Sequence, residues 1–314
     1  MTARAEASGL TSSGAVESRA GRRAAALRWA LLAPAVLFVT AFEVAPITII
    51  FVYSFLMPGY YGGVEWDFTL DNYIGFLFTR DLFDETLVFD PAYLAIFARS
   101  ALQAAFATFA SLLLGFPTAY FIATRAPRWR NLLAFLITIP FWTNLLIRTY
   151  AMLLLLRDDG LINSFLMAAG IVERPVQMVY TDFAIAVGLV YTYLPFMVLP
   201  IYASIERLDF RLVEAGFDLY ANRFQVLRRI IIPLAKPGII AGSLLVFIPS
   251  LGAYITAVLL GGGNKLMIGN LIANQFGESR NWPQGSALTM ILLACVIVAL
   301  IIYVRQIPKV ARSG

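Results

Sequence analysis

The chain has 314 residues, of which 60% are hydrophobic and 14% charged, and its formal net charge is +5. Soluble domains average about 45–50% apolar and about 25% charged residues, so this composition indicates an integral membrane protein. The sequence has no histidine, which excludes the Ser-His-Asp triad, histidine-based zinc sites and histidine-ligated haem. Its single cysteine, Cys295, can form neither an internal disulfide nor a multi-cysteine metal site, and we expect no cofactor.

Six stretches of about 20 predominantly apolar residues follow one another, each long enough to cross a bilayer as an α-helix. Their predicted bounds are Trp29 to Phe55, Phe97 to Thr124, Leu132 to Leu156, Phe183 to Ile205, Pro237 to Leu260 and Ala287 to Val304. Alternating ten-residue strands are absent, and backbone groups in lipid must form hydrogen bonds internally. The predicted fold class is therefore all-α, a polytopic membrane protein with six transmembrane helices.

The distribution of basic residues orients these helices, because short cytoplasmic segments are enriched in Lys and Arg. With the N-terminus inside, 17 of the 24 basic residues fall on the cytoplasmic side. The first outer loop is instead acidic, with Glu65, Asp67, Asp71, Asp81, Asp84, Glu85 and Asp90. Both termini are therefore predicted to be cytoplasmic.

Four segments of the chain are expected to differ in character. Residues 1–28 are rich in Ala, Ser, Gly and Arg and are predicted to be a disordered cytoplasmic tail. Residues 29–96 hold the first helix and the first periplasmic loop, 97–304 hold the other five helices, and 305–314 form a second cytoplasmic tail. The first helix ends in bulky residues rather than a small-residue cleavage site, so we expect it to be retained.

One predicted cytoplasmic segment, residues 206–236, carries a regular pattern. An apolar stripe at helical spacing is formed by Leu208, Leu212, Ala215 and Leu219. A second apolar stretch continues at similar spacing until Pro233 and Pro237, which we expect to break it. The pattern predicts two short helices along the inner membrane face.

The same segment resembles the EAA loop of the membrane subunits of binding-protein-dependent ABC importers. The resemblance is carried by Glu214-Ala215-Gly216, by Asp218, Leu219 and Ala221, and by Ile231-Ile232-Pro233-Leu234. In that family the loop is a coupling helix that docks into a groove on a cytoplasmic ATPase subunit. The resemblance implies a docking role for the carboxylate of Glu214 and close-packing roles for Ala215 and Gly216. It also implies that Asp218 and Arg223 support the docked helix.

Two positions depart from the family pattern. Gly216 stands where the motif usually has its second alanine, and Tyr220 stands where a glycine normally makes the turn. A glycine would supply a positive φ without a Cβ penalty, so the turn geometry at Tyr220 is an open question. An interfacial amphipathic helix that lies on lipid is the alternative interpretation of this segment.

Longer stretches resemble the spermidine/putrescine permeases within that importer family. They are PFWTNLLIRTYAMLLLLRDDGLINSFL at 140–166, FIPSLGAYITAVLLGGGNKLMIGNLIANQF at 247–276 and NWPQGSAL at 281–288. The resemblance implies the type I (MetI-like) importer fold, with residues 97–304 as its core transmembrane domain. It also implies three kinds of partner: cytoplasmic ATPase subunits, a second and different permease subunit, and a periplasmic or lipid-anchored solute-binding protein that lands on the outer loops.

Several side chains inside the predicted spans are candidates for contact with an organic cation. The candidates are Glu43, Trp142, Asn144, Tyr191, Tyr193 and Tyr254. A carboxylate near mid-bilayer is costly unless it faces protein or water, and aromatic faces attract ammonium groups. Ordinary packing is the alternative for the aromatic residues, and a pair with Arg148 or a partner subunit is the alternative for Glu43. We expect Arg148 itself to pair with an acid or with helix-terminal carbonyls.

Alternating access requires helices that bend, and Pro249 with Gly252 in the fifth span are the favoured hinge. The chain contains no GxxxxGK[ST] phosphate-binding loop, so it is not expected to hydrolyse ATP. A permease for an opine or an amino acid, an ion-coupled secondary carrier and a membrane-embedded enzyme are the alternatives. The last two are disfavoured by the scarcity of intramembrane acids and by the missing histidines.

Overall fold

The structure is a computed structural model that describes residues 29, 31–80, 86–263 and 265–306. The predicted disordered segment 1–28 and most of the predicted tail 305–314 lie outside these described residues. Among the described residues, the helices in chain order are α1 (Leu31–Tyr53), α2 (Asp71–Ile74), α3 (Ala92–Ala123), α4 (Pro127–Thr138), α5 (Leu145–Leu156), α6 (Leu161–Ala168), α7 (Asp182–Glu206), α8 (Arg211–Asp218), α9 (Arg223–Leu251), α10 (Ile255–Gly261), α11 (Ile268–Phe276) and α12 (Trp282–Gln306).

Five of the described helices, α1, α3, α7, α9 and α12, are long and apolar enough to cross a membrane. The predicted third span is different, because its two halves are bent by 91° relative to each other. Counting that bent pair as one span gives the six spans that the sequence predicts. The all-α polytopic fold class is therefore confirmed.

The third span, expected to run unbroken from Leu132 to Leu156, is interrupted near its middle. Helix α4 tightens into a 3₁₀ turn at Ile139–Trp142, where Pro140 supplies no amide hydrogen. The chain is extended at Thr143, and the side chain of Asn144 accepts a hydrogen bond of 2.8 Å from the Leu146 amide. This N-cap starts α5 in a new direction.

The fifth span also differs from its predicted bounds of Pro237 to Leu260. Helix α9 begins at Arg223, passes through a π-helical turn at Leu227–Ile231 and continues through both prolines to Leu251. The expected break at Pro233 and Pro237 is therefore wrong, because Pro233 lies in the first turn after the π-helical turn and the helix runs on. The predicted second short helix is instead the N-terminal end of the fifth span.

The core lies where α3, α7 and α9 pack against one another. Met197 and Ile201 of α7 are fully buried there, together with Ala119 of α3 and Val246 of α9. The backbones approach closely at Gly238, where an added Cβ would lie 2.4 Å from the carbonyl oxygen of Pro200. Small residues thus let these three spans form a tight unit.

Helix α1 and the outer loop form the periphery. The C-terminal half of α1, Ala45–Tyr53, packs against α12, whereas the preceding half is exposed along its length. The first outer loop contains two antiparallel hairpins, β1 (Leu56–Pro58) with β2 (Val64–Phe68) and β3 (Phe78–Arg80) with β4 (Leu87–Phe89). The buried side chain of Asn72 ties this loop to α1 by donating to the carbonyl oxygens of Ser54 and Leu56 at 3.1 and 2.9 Å.

Candidate functional site

The predicted coupling helix is α8. One side of this helix packs against the start of α9 in the same chain. Val213 is buried against Val226 and Ile231 at the start of α9. Gly216 is also buried, and a Cβ there would lie 2.8 Å from Cδ1 of Ile230. Gly216 therefore serves close packing within this chain, which holds α8 against the inner end of the fifth span.

The apolar stripe singled out in the sequence faces outward. Leu212 and Leu219 are 49% and 81% exposed, and Ala215 and Glu214 are exposed beside them. The buried Gly216 lies four residues after Leu212 and three before Leu219, so the stripe borders the packed side of α8. Glu214 lies about 160° around the helix from Leu212, so its carboxylate is on a different side from the exposed leucines. Exposed leucines beside a packed helix face are typical of a contact surface for another molecule.

Tyr220 adopts a left-handed backbone conformation in the turn after α8. Its φ is +59°, the left-handed conformation that glycine adopts most easily. The Tyr220 amide donates to the Phe217 carbonyl at 2.9 Å, and the Ala221 amide donates to the Gly216 carbonyl at 3.1 Å. This pair of bonds is a Schellman helix end. The tyrosine therefore makes the turn that a glycine makes in the family pattern.

The two remaining candidates of the coupling loop are exposed. Asp218 is the last residue of α8, and Arg223 is the first residue of α9. Arg223 also borders a cleft of about 440 Å³ between the inner end of α3 and the coupling loop, which Phe116, Tyr120 and Phe217 line. The structure brings all five predicted coupling residues into one loop at one end of the bundle.

The predicted pathway aromatics are not gathered on one surface. Trp142 is 79% exposed at the break between α4 and α5. Tyr193 is half-buried, and its hydroxyl donates to the Pro249 carbonyl at 3.4 Å. Tyr191 is exposed two residues earlier, about 200° around the same helix, so the two rings face different sides of α7. Tyr254 is exposed in the link between α9 and α10.

Glu43 lies apart from these groups. It is exposed in a π-helical turn of α1, Thr40–Val44, on the half of that helix that the rest of the described chain leaves uncovered. Asn144 is exposed too, but its side-chain oxygen already caps α5. As predicted contacts of a cation, these side chains stay predictions.

Arg148 does not have the partner that the sequence led us to expect. Its Nε and Nη1 atoms are buried and have no hydrogen-bond acceptor within the described chain. Its Cζ lies 5.8 Å from the centre of the Phe141 ring, a cation–π arrangement. The expected pair with an acid or with helix-terminal carbonyls is therefore wrong for the chain on its own.

The hinge candidates, Pro249 and Gly252, lie at the C-terminal end of α9, where the helix stops. Helix α9 ends at Leu251, and Gly252 begins a short link of three residues to α10. A Cβ built on Gly252 would meet no atom within 4 Å, whereas a Cβ built on Gly269 of α11 would lie 2.5 Å from the carbonyl oxygen of Gly252, so the backbone of the link packs closely against α11.

Sequence reasoning missed an ion cluster at the end of the bundle opposite the coupling loop. Arg99 of α3 donates from Nε and Nη2 to the two carboxylate oxygens of Asp182 at 3.1 and 2.9 Å. Nζ of Lys265 lies 3.7 Å from the same carboxylate. The partners are 83 residues apart in sequence, so no local pattern could have revealed the pair. The cluster joins α3, α7 and the link before α11.

The segment around α11 is held by protein rather than by lipid. Met267, Ile268 and Leu271 are buried, and the Ile268 amide donates to Oγ of Ser100 at 2.8 Å. A helix lying on the membrane surface would expose those side chains to lipid. Within the described ranges, no group of three or more Cys, Asp or Glu side chains is placed to hold a metal ion.

Comparison with known structures identifies the same architecture. A bacterial alginate ABC transporter, solved with an alginate pentasaccharide-bound periplasmic protein, contains a chain that superposes with a TM-score of 0.67. The match covers 92% of this chain and 96% of the other at 16% sequence identity. At that identity the likeness shows the fold alone.

Comparison of sequences gives closer relatives. The spermidine/putrescine transport system permease protein PotB of Escherichia coli is 43% identical over 252 residues, which is 80% of this chain and 87% of the relative. The PotB protein of Haemophilus influenzae is 41% identical over 264 residues, covering 84% and 88%. Residues 91–312 match the family model described as the binding-protein-dependent transport system inner membrane component. The chain therefore belongs to this family of multi-pass inner-membrane permease subunits of ABC importers.

Proposed function

We propose that this permease subunit moves polyamines, spermidine and putrescine, across the bacterial inner membrane by ATPase-driven alternating access. The identity of 43% and 41% to two spermidine/putrescine permeases, over most of both chains, carries the assignment of the substrate class. The exposed aromatic rings of Trp142, Tyr191 and Tyr254 are suited to a flexible organic cation. Glu43 supplies an exposed carboxylate on α1.

The mechanism follows from the geometry of the coupling loop. Cytoplasmic ATPase subunits bind the exposed sides of α8 through Glu214, Ala215 and the exposed leucines, and Asp218 and Arg223 support the docked helix. Burial of Val213 and Gly216 then makes α8 and the inner end of α9 move together. ATP hydrolysis belongs to those partner subunits, and this chain supplies the moving membrane helices and part of the cavity.

The remaining partners and the orientation belong to the same proposal. A second, different permease subunit completes the cavity, and a periplasmic or lipid-anchored solute-binding protein lands on the outer hairpins and the α11 segment. Both termini are cytoplasmic, in agreement with the concentration of basic residues between alternate spans. Pro249 and Gly252 provide the hinge at the outer end of α9.

The test of the transport role is uptake of labelled putrescine and spermidine by proteoliposomes. They contain this chain with the second permease, the ATPase and the binding protein of its own system. We expect ATP-dependent accumulation that stops when the ATPase is omitted. Accumulation that persists without the ATPase would refute the mechanism. Uptake of another solute in place of both polyamines would refute the substrate class.

The test of the coupling role uses charge reversal at two exposed acids. Glu214→Arg places a positive charge on the docking face, and we expect loss of uptake together with loss of the co-purified ATPase. Glu278→Arg makes the same change after α11, at the opposite end of the bundle, and should leave ATPase co-purification unchanged. Normal uptake with Glu214→Arg would refute the assignment of α8 as the coupling helix.

A further inference from the structure

The ion cluster of Arg99, Asp182 and Lys265 lies at the level of the lipid headgroups. Arg99 and Arg125 are about 39 Å apart along the second span, and no charged residue lies between them. Asp182 and Glu206, the first and last residues of α7, are about 36 Å apart, again with no charge between them. A bilayer measures about 30 Å across its hydrocarbon core and about 40–45 Å with its headgroup regions. Both pairs therefore bracket the hydrocarbon, and the cluster lies in the headgroup region opposite the coupling loop.

The cluster carries an excess positive charge that an anion can reach. Among the described residues, Arg99 and Lys265 share one carboxylate, that of Asp182, which accepts hydrogen bonds from Arg99 and Gln103 at 2.9 to 3.2 Å. Nζ of Lys265 is 3.7 Å from this carboxylate, which is too far for a hydrogen bond. The bonds from Arg99 use Nε and Nη2 and leave Nη1 for another acceptor. The side chains of Arg99 and Lys265 are 32% and 36% exposed, so both cations are accessible.

Two cavities meet at Arg99. The first, of about 490 Å³, is called the α3–α7 groove, and its apolar lining consists of Leu102, Phe106, Phe183 and Ala186. Phe106 lies about 10 Å along α3 from Arg99, away from the headgroups, so this groove enters the hydrocarbon. The second cavity, of about 400 Å³, is lined by Ala95, Ile96, Arg99 and Leu266, the neighbour of Lys265. Since Ala95 and Ile96 lie one helical turn from Arg99 in the opposite direction, this cavity is at the headgroup level.

The two cavities and the charge between them match the parts of a phospholipid. Leu102, Phe106 and Phe183 are 71%, 57% and 57% exposed, so the α3–α7 groove offers apolar surface to an acyl chain. A soluble anion would fit the charge but leave this apolar surface uncovered. An apolar helix of another subunit would cover the groove but leave the excess charge without a partner. A phospholipid supplies both a phosphate and an acyl chain, at the depths where the structure has a charge and a groove.

We propose that one phospholipid molecule binds across this site, with its phosphate on Arg99 and Lys265 and an acyl chain in the α3–α7 groove. In the proposed orientation it belongs to the outer leaflet. The excess positive charge favours an anionic lipid such as phosphatidylglycerol over a zwitterionic one. Because Lys265 belongs to the link before α11, the phosphate joins that link to α3 beside Asp182. The inference does not depend on which solute the permease carries.

The first experiment locates the lipid by photolabelling. The complex of this chain with its second permease and ATPase is placed in phosphatidylcholine nanodiscs that contain phosphatidylglycerol with a diazirine in one acyl chain. Light expels nitrogen, and the resulting carbene inserts into a bond of a nearby side chain. Mass spectrometry should find more label on Leu102 and Phe106 than on Leu113 and Leu114, which are exposed elsewhere on α3. An unlabelled groove in the assembled complex would show that protein covers it and would overturn the proposal.

Substitutions at Lys265 test the role of the charge in the same assay. Lys265→Gln should lower the label on Leu102 and Phe106 about fivefold relative to the label on Leu113, since one cation near the membrane surface is lost. Lys265→Arg keeps the charge and should keep the label. Lys236→Gln is the matched control, because Lys236 is exposed and lines neither cavity. Unchanged groove labelling in Lys265→Gln would overturn the proposal.

The second experiment separates lipid binding from the ion pair between Lys265 and Asp182. The melting temperature of the complex, stripped of lipid in detergent, is measured before and after addition of phosphatidylglycerol, phosphatidylcholine or inorganic phosphate. Loss of the ion pair lowers the melting temperature of Lys265→Gln without lipid. Loss of the lipid site instead makes the rise on adding phosphatidylglycerol smaller in Lys265→Gln than in the unaltered complex and in Lys265→Arg, and we expect this result.

Two outcomes of the melting experiment would contradict the assignment. An equal rise with phosphatidylglycerol in the unaltered complex and in Lys265→Gln would show that lipid stabilises the complex at other places. An equal rise with inorganic phosphate and with phosphatidylglycerol would show that an anion without an acyl chain is sufficient. Either result would overturn the proposal, whatever solute the complex transports.

Discussion

Replacement of Tyr220 by glycine should tighten the end of the coupling helix. The φ of +59° costs a non-glycine residue roughly 1–2 kcal/mol, and glycine avoids this cost but loses roughly 0.5–1 kcal/mol more through its greater freedom when unfolded. The substitution should therefore stabilise the end of α8 by about 0.7 kcal/mol, which lowers the equilibrium constant for local opening about threefold. The tyrosine side chain is 98% exposed, so its removal loses no packing contacts within the chain.

Hydrogen exchange of the assembled complex measures this gain. The amides at positions 220 and 221, which donate to Phe217 and Gly216, should exchange about threefold more slowly in Tyr220→Gly. Tyr220→Ala is the control, because it removes the ring but keeps a Cβ at a positive φ. Equal protection in the two variants, or no added protection in Tyr220→Gly, would refute the backbone argument.

Two further pairs of substitutions test close packing and buried hydrogen bonds by thermal unfolding of the reconstituted complex. Gly238→Ala places a Cβ 2.4 Å from a carbonyl of α7 and should destabilise by about 1–3 kcal/mol, whereas Gly252→Ala meets no atom within 4 Å and should not destabilise. Ser100→Ala leaves the buried Ile268 amide without its acceptor and should cost about 1–3 kcal/mol. Ser111→Ala removes an equally buried hydroxyl that has no partner, so it should be neutral; equal costs for the two serines would contradict the hydrogen-bond argument.

The sequence predicted the spans well because composition alone decides whether about 20 residues can cross a bilayer. The same signal could not locate the break at Thr143, since the run from Leu132 to Leu156 is apolar on both sides of it. Pro140 and Asn144 were the local cues, and a proline inside a membrane helix is too common to identify a 91° bend. The opposite error occurred at Pro233. The sequence predicted a helix break there, but α9 continues past it after a π-helical turn.

The sequence predicted a short helix at α8, which the structure contains, but it did not predict which side of that helix packs against the chain. Periodicity predicts a face that avoids water, and it does not say whether that face meets the chain's own core or a partner. The stripe through Leu212 and Leu219 is exposed in the chain alone, while Val213 and Gly216 make the internal contact. Pairs such as Arg99 with Asp182 were beyond sequence reasoning because the fold, rather than any local pattern, brings them together.

One helix connects the two regions on which the proposed mechanism depends. Helix α9 spans 29 residues, about 44 Å, from Arg223 beside the coupling helix to Leu251 next to the hinge. Its inner end is fixed to α8 by buried contacts, and its middle is locked to α7 at Gly238. In the proposed mechanism a displacement of α8 therefore moves these elements together. Helix α9 ends at Leu251, and the carbonyl of the next residue, Gly252, lies so close to Gly269 of α11 that a Cβ on Gly269 would be 2.5 Å from its oxygen. Motion that begins at the ATPase and reaches this end of α9 would therefore displace α11 as well.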